Sequence, residues 1–282
     1  MKPSTPLKQR VITALALLAV LLGAVWLGRA SFVLVAAVLT GAAAFEWLRL
    51  AGLSDRLAVV ASVSYALLLL AGEIAGRTPS GPVLTLVVAG ASAVWLSLFV
   101  LLLQAERSGA HVGRMASVIL CFTLLTAGWM ALLHLHSMGL LVLLSVLALV
   151  WVADIAAYFT GRALGRRKLA PHISPGKTWA GVGGAVVAVL LLALLAHQLW
   201  PGLGLFSNAL FERMNLLLVM ALLAALVGIS IVGDLFESLM KRQAGRKDSS
   251  GLLPGHGGVL DRIDALTSTL PLAALILYLV RS

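Results

Sequence analysis

Read for its apolar runs, the chain is hydrocarbon almost end to end, broken at short intervals by glycine, proline and charge. Gly28-Arg29, Gly52 to Asp55, Gly76 to Pro82, Arg107 to Arg114 and Pro201 to Gly204 are the main breaks. The stretches between them approach the about 20 residues that a helix needs to cross a hydrocarbon core. They predict nine helices, over 11–28, 31–47, 57–75, 81–103, 115–134, 139–161, 178–200, 214–242 and 260–280. The first two are joined so tightly that they must run antiparallel. The expected fold is all-α and polytopic, with 1–134 as N-terminal transmembrane helices and 135–282 as a C-terminal transmembrane region that carries the longest polar loops.

Composition removes the soluble alternatives. Among 282 residues, 61% are hydrophobic and 11% charged, with mean hydropathy +1.04, too apolar to solvate the surface of a water-soluble domain. The formal charge of +10 does not point to nucleic acid, because the basic residues lie in short inter-helix segments and not on one soluble face. Cys121 is the single cysteine, which excludes a disulfide or a cysteine-rich zinc site and suits packing. Lys2, Lys8 and Arg10 precede an apolar run in the manner of a signal peptide, but that run is long and further spans follow, so it is expected to stay as the first span.

Charge then orients the spans. With a cytoplasmic N-terminus, all but four of the 21 Lys and Arg residues fall on the cytoplasmic side; the exceptions are Arg29, Arg77, Arg213 and Arg281. The positive-inside rule therefore favours N-in and C-out. The two longest polar stretches, 162–177 and 241–258, both fall on that side, where nucleotides are found.

Acids at membrane depth are costly, about 2.5 to 3.5 kcal/mol for a central Asp, and usually face a cavity or a partner. Asp154, Asp234 and Glu237 are the clearest cases. Glu46 and Glu73 lie nearer span ends, where an interfacial position explains them, and neither is given a role. Asp234, Glu237, Ser238 and Lys241 share one helix face at i, i+3, i+4 and i+7. That stripe fits either a packing network or a site. Asp261 and Asp264 stand one turn apart where the last helix begins, a pair suited to Mg²⁺ but equally to the helix dipole. Gly255-His256-Gly257-Gly258 before that helix allows close approach of an anion, although a Gly-rich turn is often only a turn. Lys241, Arg242, Arg246, Lys247 and Arg262 flank it, and alone would serve topology or lipid headgroups. Cations, glycines and acids interleaved within 27 residues are what phosphoryl or nucleotidyl transfer needs.

The other polar stretch ends Ser174-Pro175-Gly176-Lys177-Thr178. It is not a Walker motif, because Pro171 stands where the first glycine belongs. A helix start beside Lys177 and Thr178 can hold phosphate, or Thr178 can simply be an N-cap. His134 and His136 fall on the far side of the membrane; His172 and His256 lie in the cytoplasmic loops, with His256 a candidate to bind or protonate phosphate.

The run from Ser238 to Asp264 resembles the signature of the phosphatidate cytidylyltransferase (CDP-diacylglycerol synthase) family. The resemblance rests on Ser238, Lys241-Arg242, Lys247-Asp248, Ser250, Leu253-Pro254, His256-Gly257-Gly258 and Asp261-Arg262-x-Asp264. It implies the reaction CTP + phosphatidate → CDP-diacylglycerol + pyrophosphate, a bacterial inner-membrane homodimer, and a Mg²⁺ centre that K⁺ can accompany. On that basis Asp234, Asp261 and Asp264 are the expected metal ligands. Lys241, Arg242 and Lys247 are expected on phosphates, and Ser174, Lys177 and Thr178 on the nucleotide. Ser238, His256, Gly257, Gly258 and Arg262 complete the expected substrate site, with Asp154 lining the cavity. The competing readings are a CTP-dependent lipid kinase of the dolichol or phytol type, which transfers the γ-phosphoryl group, and an ion-coupled transporter, which leaves the GHGG-x-x-DR-x-D run without a purpose.

Overall fold

The computed structural model describes residues 7–281. Lys2 lies outside the described residues, as do the side chains of Lys8 and Arg10. In chain order the elements are α1 (Leu7–Trp26), α2 (Arg29–Leu50), α3 (Asp55–Ile74), α4 (Gly81–Ser108), α5 (Arg114–Met138), α6 (Leu140–Leu164), β1 (Lys168–Ala170), β2 (Ser174–Thr178), α7 (Trp179–Leu199), α8 (Phe206–Phe211), α9 (Leu216–Gln243) and α10 (Leu260–Arg281). Eight of the described helices, α2 to α7 with α9 and α10, are long and apolar enough to cross a membrane. Leu68, Leu86 and Leu217 turn at least 70% of their area outward, as lipid-facing side chains do. The chain is an all-α polytopic membrane protein.

Three local features depart from the sequence pattern. The stretch expected as a plain loop before the seventh span is an antiparallel hairpin, with Lys168 opposite Thr178 and Ala170 opposite Ser174. A short helix, α8, follows α7 because the Asn208 side-chain amide donates to the carbonyls of Trp200 (2.7 Å) and Leu203 (2.8 Å), folding that link into a compact corner. Finally, α5 and α6 are joined by Gly139 alone, at φ 139°, a conformation that an L side chain strongly resists. The residues between 134 and 139 contain no helix breaker, so α5 simply continues to that glycine.

The chain forms two compact units. The first comprises residues to Thr78, Val112–Trp129 and Met240–Ile263. Here α2 is buried over much of its length, and Ala43, Ala44 and Leu48 are inaccessible. The Trp47 indole N–H donates to Ser117 Oγ of α5 at 3.1 Å, and the Tyr65 and Thr126 hydroxyls lie 3.0 Å apart. Polar atoms in this apolar interior thus find partners, as a bilayer requires.

The second unit comprises Pro79–His111, Met130–Leu239 and the residues from Asp264 on. Its closest helix pair is α6 with α7. A Cβ on Gly184 would collide with the Thr160 side chain, and one on Gly181 would lie 2.8 Å from the Ala157 carbonyl. Small residues at these positions let the two backbones approach, the usual source of helix association in lipid. In α10, Pro271 has no N–H for the Thr267 carbonyl four residues earlier. The buried Trp95 of α4 supplies the missing donor, its indole N–H reaching Thr267 O at 3.2 Å, while its ring meets Phe236 edge to face at 5.7 Å.

Candidate active site

The candidate side chains gather in a cluster within each unit. In the second unit, helical spacing on α9 sets Asp234, Glu237 and Ser238 along one face, and α10 contributes Asp264. Carboxylate oxygens of Asp234, Glu237 and Asp264 all lie within 4.8 Å of one another, and Glu237 is buried. Crowding three acids this closely is unfavourable unless positive charge stands among them. One cation is in place: Lys177 Nζ, from the end of β2, is 2.7 Å from Asp234 Oδ2. Ser238 Oγ approaches Asp234 Oδ1 at 3.5 Å, and the Ala265 N–H donates to Asp264 Oδ1 at 2.7 Å. An all-oxygen donor set of this kind suits a hard divalent cation such as Mg²⁺.

Beside Asp234 a cavity of about 600 Å³ is lined by Asp154, Tyr158 and Arg162 of α6, Ser174 and Lys177 of the hairpin, and Asp234 itself. The hairpin explains how Lys177 comes to stand there. Within β2, Pro175 and Gly176 are exposed, Lys177 is half-buried and turns toward the acids, and Thr178 is buried. Thr178 Oγ1 accepts the Gly181 N–H at 3.1 Å and caps α7. At the opposite end of the hairpin, Glu106 from the last turn of α4 accepts the backbone N–H groups of His172 (2.9 Å) and Ile173 (3.2 Å), and one of its oxygens lies 2.7 Å from His172 Nδ1. Glu106 fastens the tip that carries Ser174.

In the first unit the cluster is the loop between α9 and α10, built around two carboxylates. Asp261, whose side chain is 7% exposed, pairs with Lys241 Nζ at 2.6 Å through Oδ1. Its Oδ2 accepts the Ser249 N–H (2.9 Å), the Ser249 hydroxyl (2.8 Å) and the Gly258 N–H (2.8 Å). The second carboxylate is Glu46 of α2, wholly inaccessible, which accepts from Ser249 Oγ (3.0 Å), Ser250 Oγ (2.5 Å), Val259 N (3.0 Å) and Leu260 N (2.7 Å). The loop closes on itself through Leu253 N to Gly257 O at 2.8 Å, with Gly257 at φ 84°. Arg262 donates to the His256 carbonyl at 2.8 Å. Arg242, Lys247 and Arg262 are exposed, and His256 is partly so.

Of the residues singled out from the sequence, Asp234, Asp264, Ser174, Lys177, Thr178 and Ser238 therefore fall in the second unit's cluster. Asp261, Lys241, His256, Gly257, Gly258 and Arg262 fall in the first unit's loop, as do the exposed Arg242 and Lys247. Glu46 is the main correction. Both Glu46 and Glu73 were expected at an interface and without a role; Glu73 forms an ion pair with the half-exposed Arg29, whereas Glu46 is wholly inaccessible and bonded to the loop before α10. Arg49, one turn beyond Glu46, looks like its partner but pairs with Asp55 at 3.1 Å. The one signal for Glu46 was an acid in an apolar run whose nearest cation was better matched elsewhere. Glu237 stood in the acidic stripe, and only the geometry brings it onto Asp264.

Residues 8–280 match the model of the Cytidylyltransferase family. The chain is 42% identical over 277 residues to the phosphatidate cytidylyltransferase of Pseudomonas aeruginosa, covering 96% of this chain and 97% of that protein. It is 37% identical over 275 residues to the phosphatidate cytidylyltransferase of Brucella suis, with coverage of 97% and 92%. The protein of that name from Haemophilus influenzae is 51% identical over 133 residues, 47% of this chain and 44% of its own length. With the match running nearly from end to end, the chain belongs to the cytidylyltransferase family.

Proposed function

We propose that this protein is a phosphatidate cytidylyltransferase, converting CTP and phosphatidate to CDP-diacylglycerol and pyrophosphate within a membrane. The observation that carries the reading is the acidic cluster of Asp234, Glu237 and Asp264 with Lys177 beside a cavity of about 600 Å³. A phosphate oxygen of phosphatidate forms the new bond to the α-phosphorus of CTP, and the bond to the departing pyrophosphate breaks. Phosphatidate is already an anionic nucleophile, so no strong general base is needed, and the protein's task is alignment and charge neutralisation.

In this proposal Asp234, Glu237 and Asp264 hold Mg²⁺, and Asp261, expected from the sequence as a further metal ligand, fixes Lys241 within its own loop. Bound there, the ion would supply positive charge against the triphosphate. Lys177, with Ser174 and Thr178 on the same hairpin, binds nucleotide phosphates, and Arg162 and Asp154 line their surroundings. Lys241, Arg242, Lys247 and Arg262 provide further positive charge, and Gly257, Gly258, His256 and Ser238 shape the substrate site. A homodimer in the inner membrane with its N-terminus in the cytoplasm completes the proposal, the last supported by the distribution of Lys and Arg.

The test is purified protein supplied with phosphatidate, Mg²⁺ and CTP labelled at the α- or the γ-phosphate. Label from the α position is expected in lipid, none from the γ position, and chelation of divalent metal should stop turnover. γ-Label in lipid would instead make the protein a kinase.

A further inference from the structure

The loop between α9 and α10 has an anchor that its own sequence does not contain. A helix leaves its first N–H groups without intrahelical partners, and a side chain just before the helix usually accepts them. At the start of α10, Val259 N and Leu260 N are instead accepted by Glu46, which precedes them by 213 and 214 residues. The same carboxylate receives the hydroxyls of Ser249 and Ser250. All four groups can donate, so the site is matched to an acceptor, which a carboxylate supplies with two oxygens and several lone pairs.

Two details tie this anchor to the loop's working face. A Cβ on Gly258 would collide with both oxygens of Glu46 and with Ser249 Oγ, so glycine there is the opening through which the carboxylate reaches the backbone. The Ser249 hydroxyl lies between the two acids, 3.0 Å from Glu46 Oε2 and 2.8 Å from Asp261 Oδ2. Since a hydroxyl carries one proton, it can serve one of them at a time. The placement of Glu46 is thereby felt at Asp261, the residue that also holds Lys241.

We infer that Glu46 is a positioning residue for cytidylyl transfer: from α2 it fixes the backbone of 258–260 and the Ser249 hydroxyl, and through them the orientation of Asp261 and Lys241. This rests on the functional reading above. Glu46 touches neither nucleotide nor lipid in it, and α2 is thereby part of the catalytic apparatus.

The experiment compares the full-length wild type with Glu46→Gln and Ser250→Ala, in phosphatidate-containing nanodiscs with CTP and Mg²⁺. Initial rates give kcat and the two KM values, and melting temperature reports folding. Glutamine keeps the size but presents an NH₂ to a nest of donors. It should lower kcat about 10- to 100-fold, the usual range for a group that orients another, while KM for phosphatidate stays within about 2-fold. Ser250→Ala, which removes one donor at the edge of the nest, should lower kcat less. In the Glu46→Gln background it should cost little more, because both act through one contact. Undiminished kcat in well-folded Glu46→Gln overturns the inference. If Glu46→Gln does not fold, Ser250→Ala decides: a normal kcat overturns it. A melting temperature that drops while the folded fraction keeps wild-type kcat assigns Glu46 to stability alone and also overturns it. A wild-type protein that makes no CDP-diacylglycerol overturns the functional reading itself, which separates the two failures.

Discussion

The two carboxylate clusters are organised in opposite ways. In the loop between α9 and α10, Asp261 and Glu46 are surrounded by donors, with a lysine, two serine hydroxyls and backbone N–H groups all turned onto them. In the cluster on α9, Asp234, Glu237 and Asp264 are crowded against one another beside a cavity. Carboxylates supplied with donors hold shape, because each bond adds to the stability of the folded loop. Carboxylates packed together store repulsion that a cation relieves. The first arrangement is a frame, and the second is a receptor for charge.

That contrast is open to test. Asp234→Asn should give the largest loss, lowering kcat about 100- to 1,000-fold with an unchanged melting temperature, as measured by CDP-diacylglycerol formation and thermal unfolding in detergent. Asp261→Asn should lower activity too, but unlike Asp234→Asn it should also destabilise the fold, by about 3 kcal/mol, because Lys241 loses a buried partner; denaturant or thermal unfolding would show the drop. If both variants unfold alike, the division into frame and receptor is wrong. Lys177→Met should raise KM for CTP about 10-fold with a smaller change in kcat, in the range of a lost charge-assisted phosphate contact; a saturation curve in CTP checks it. Glu73→Gln should do least, costing under about 1 kcal/mol because its partner Arg29 is half exposed, with no change in either KM.

How far these arrangements could be read from sequence depended on how far apart the contributors lie. The spans were legible because a bilayer demands long apolar runs, and the observed helix ends fall within a few residues of the pattern for most of them. The acidic stripe was legible because Asp234 and Glu237 are separated by one helical turn. The hairpin was not: Ser174-Pro175-Gly176-Lys177-Thr178 has neither alternation nor β-branched residues before Thr178, and tertiary contacts such as Glu106 to His172 and Ile173 hold it in place. Glu46 was missed for the same reason on a larger scale. Its donors are more than 200 residues away, while Arg49 offered a false partner three residues along the chain.

The distance between Glu46 and its donors also bears on how the protein is made. As the chain leaves the ribosome, α2 is complete long before Ser249, 203 residues further on, has been joined to it. Throughout that interval the eventual neighbours of Glu46 have yet to be translated, so a site begun in α2 is completed only when the loop before α10 has been made.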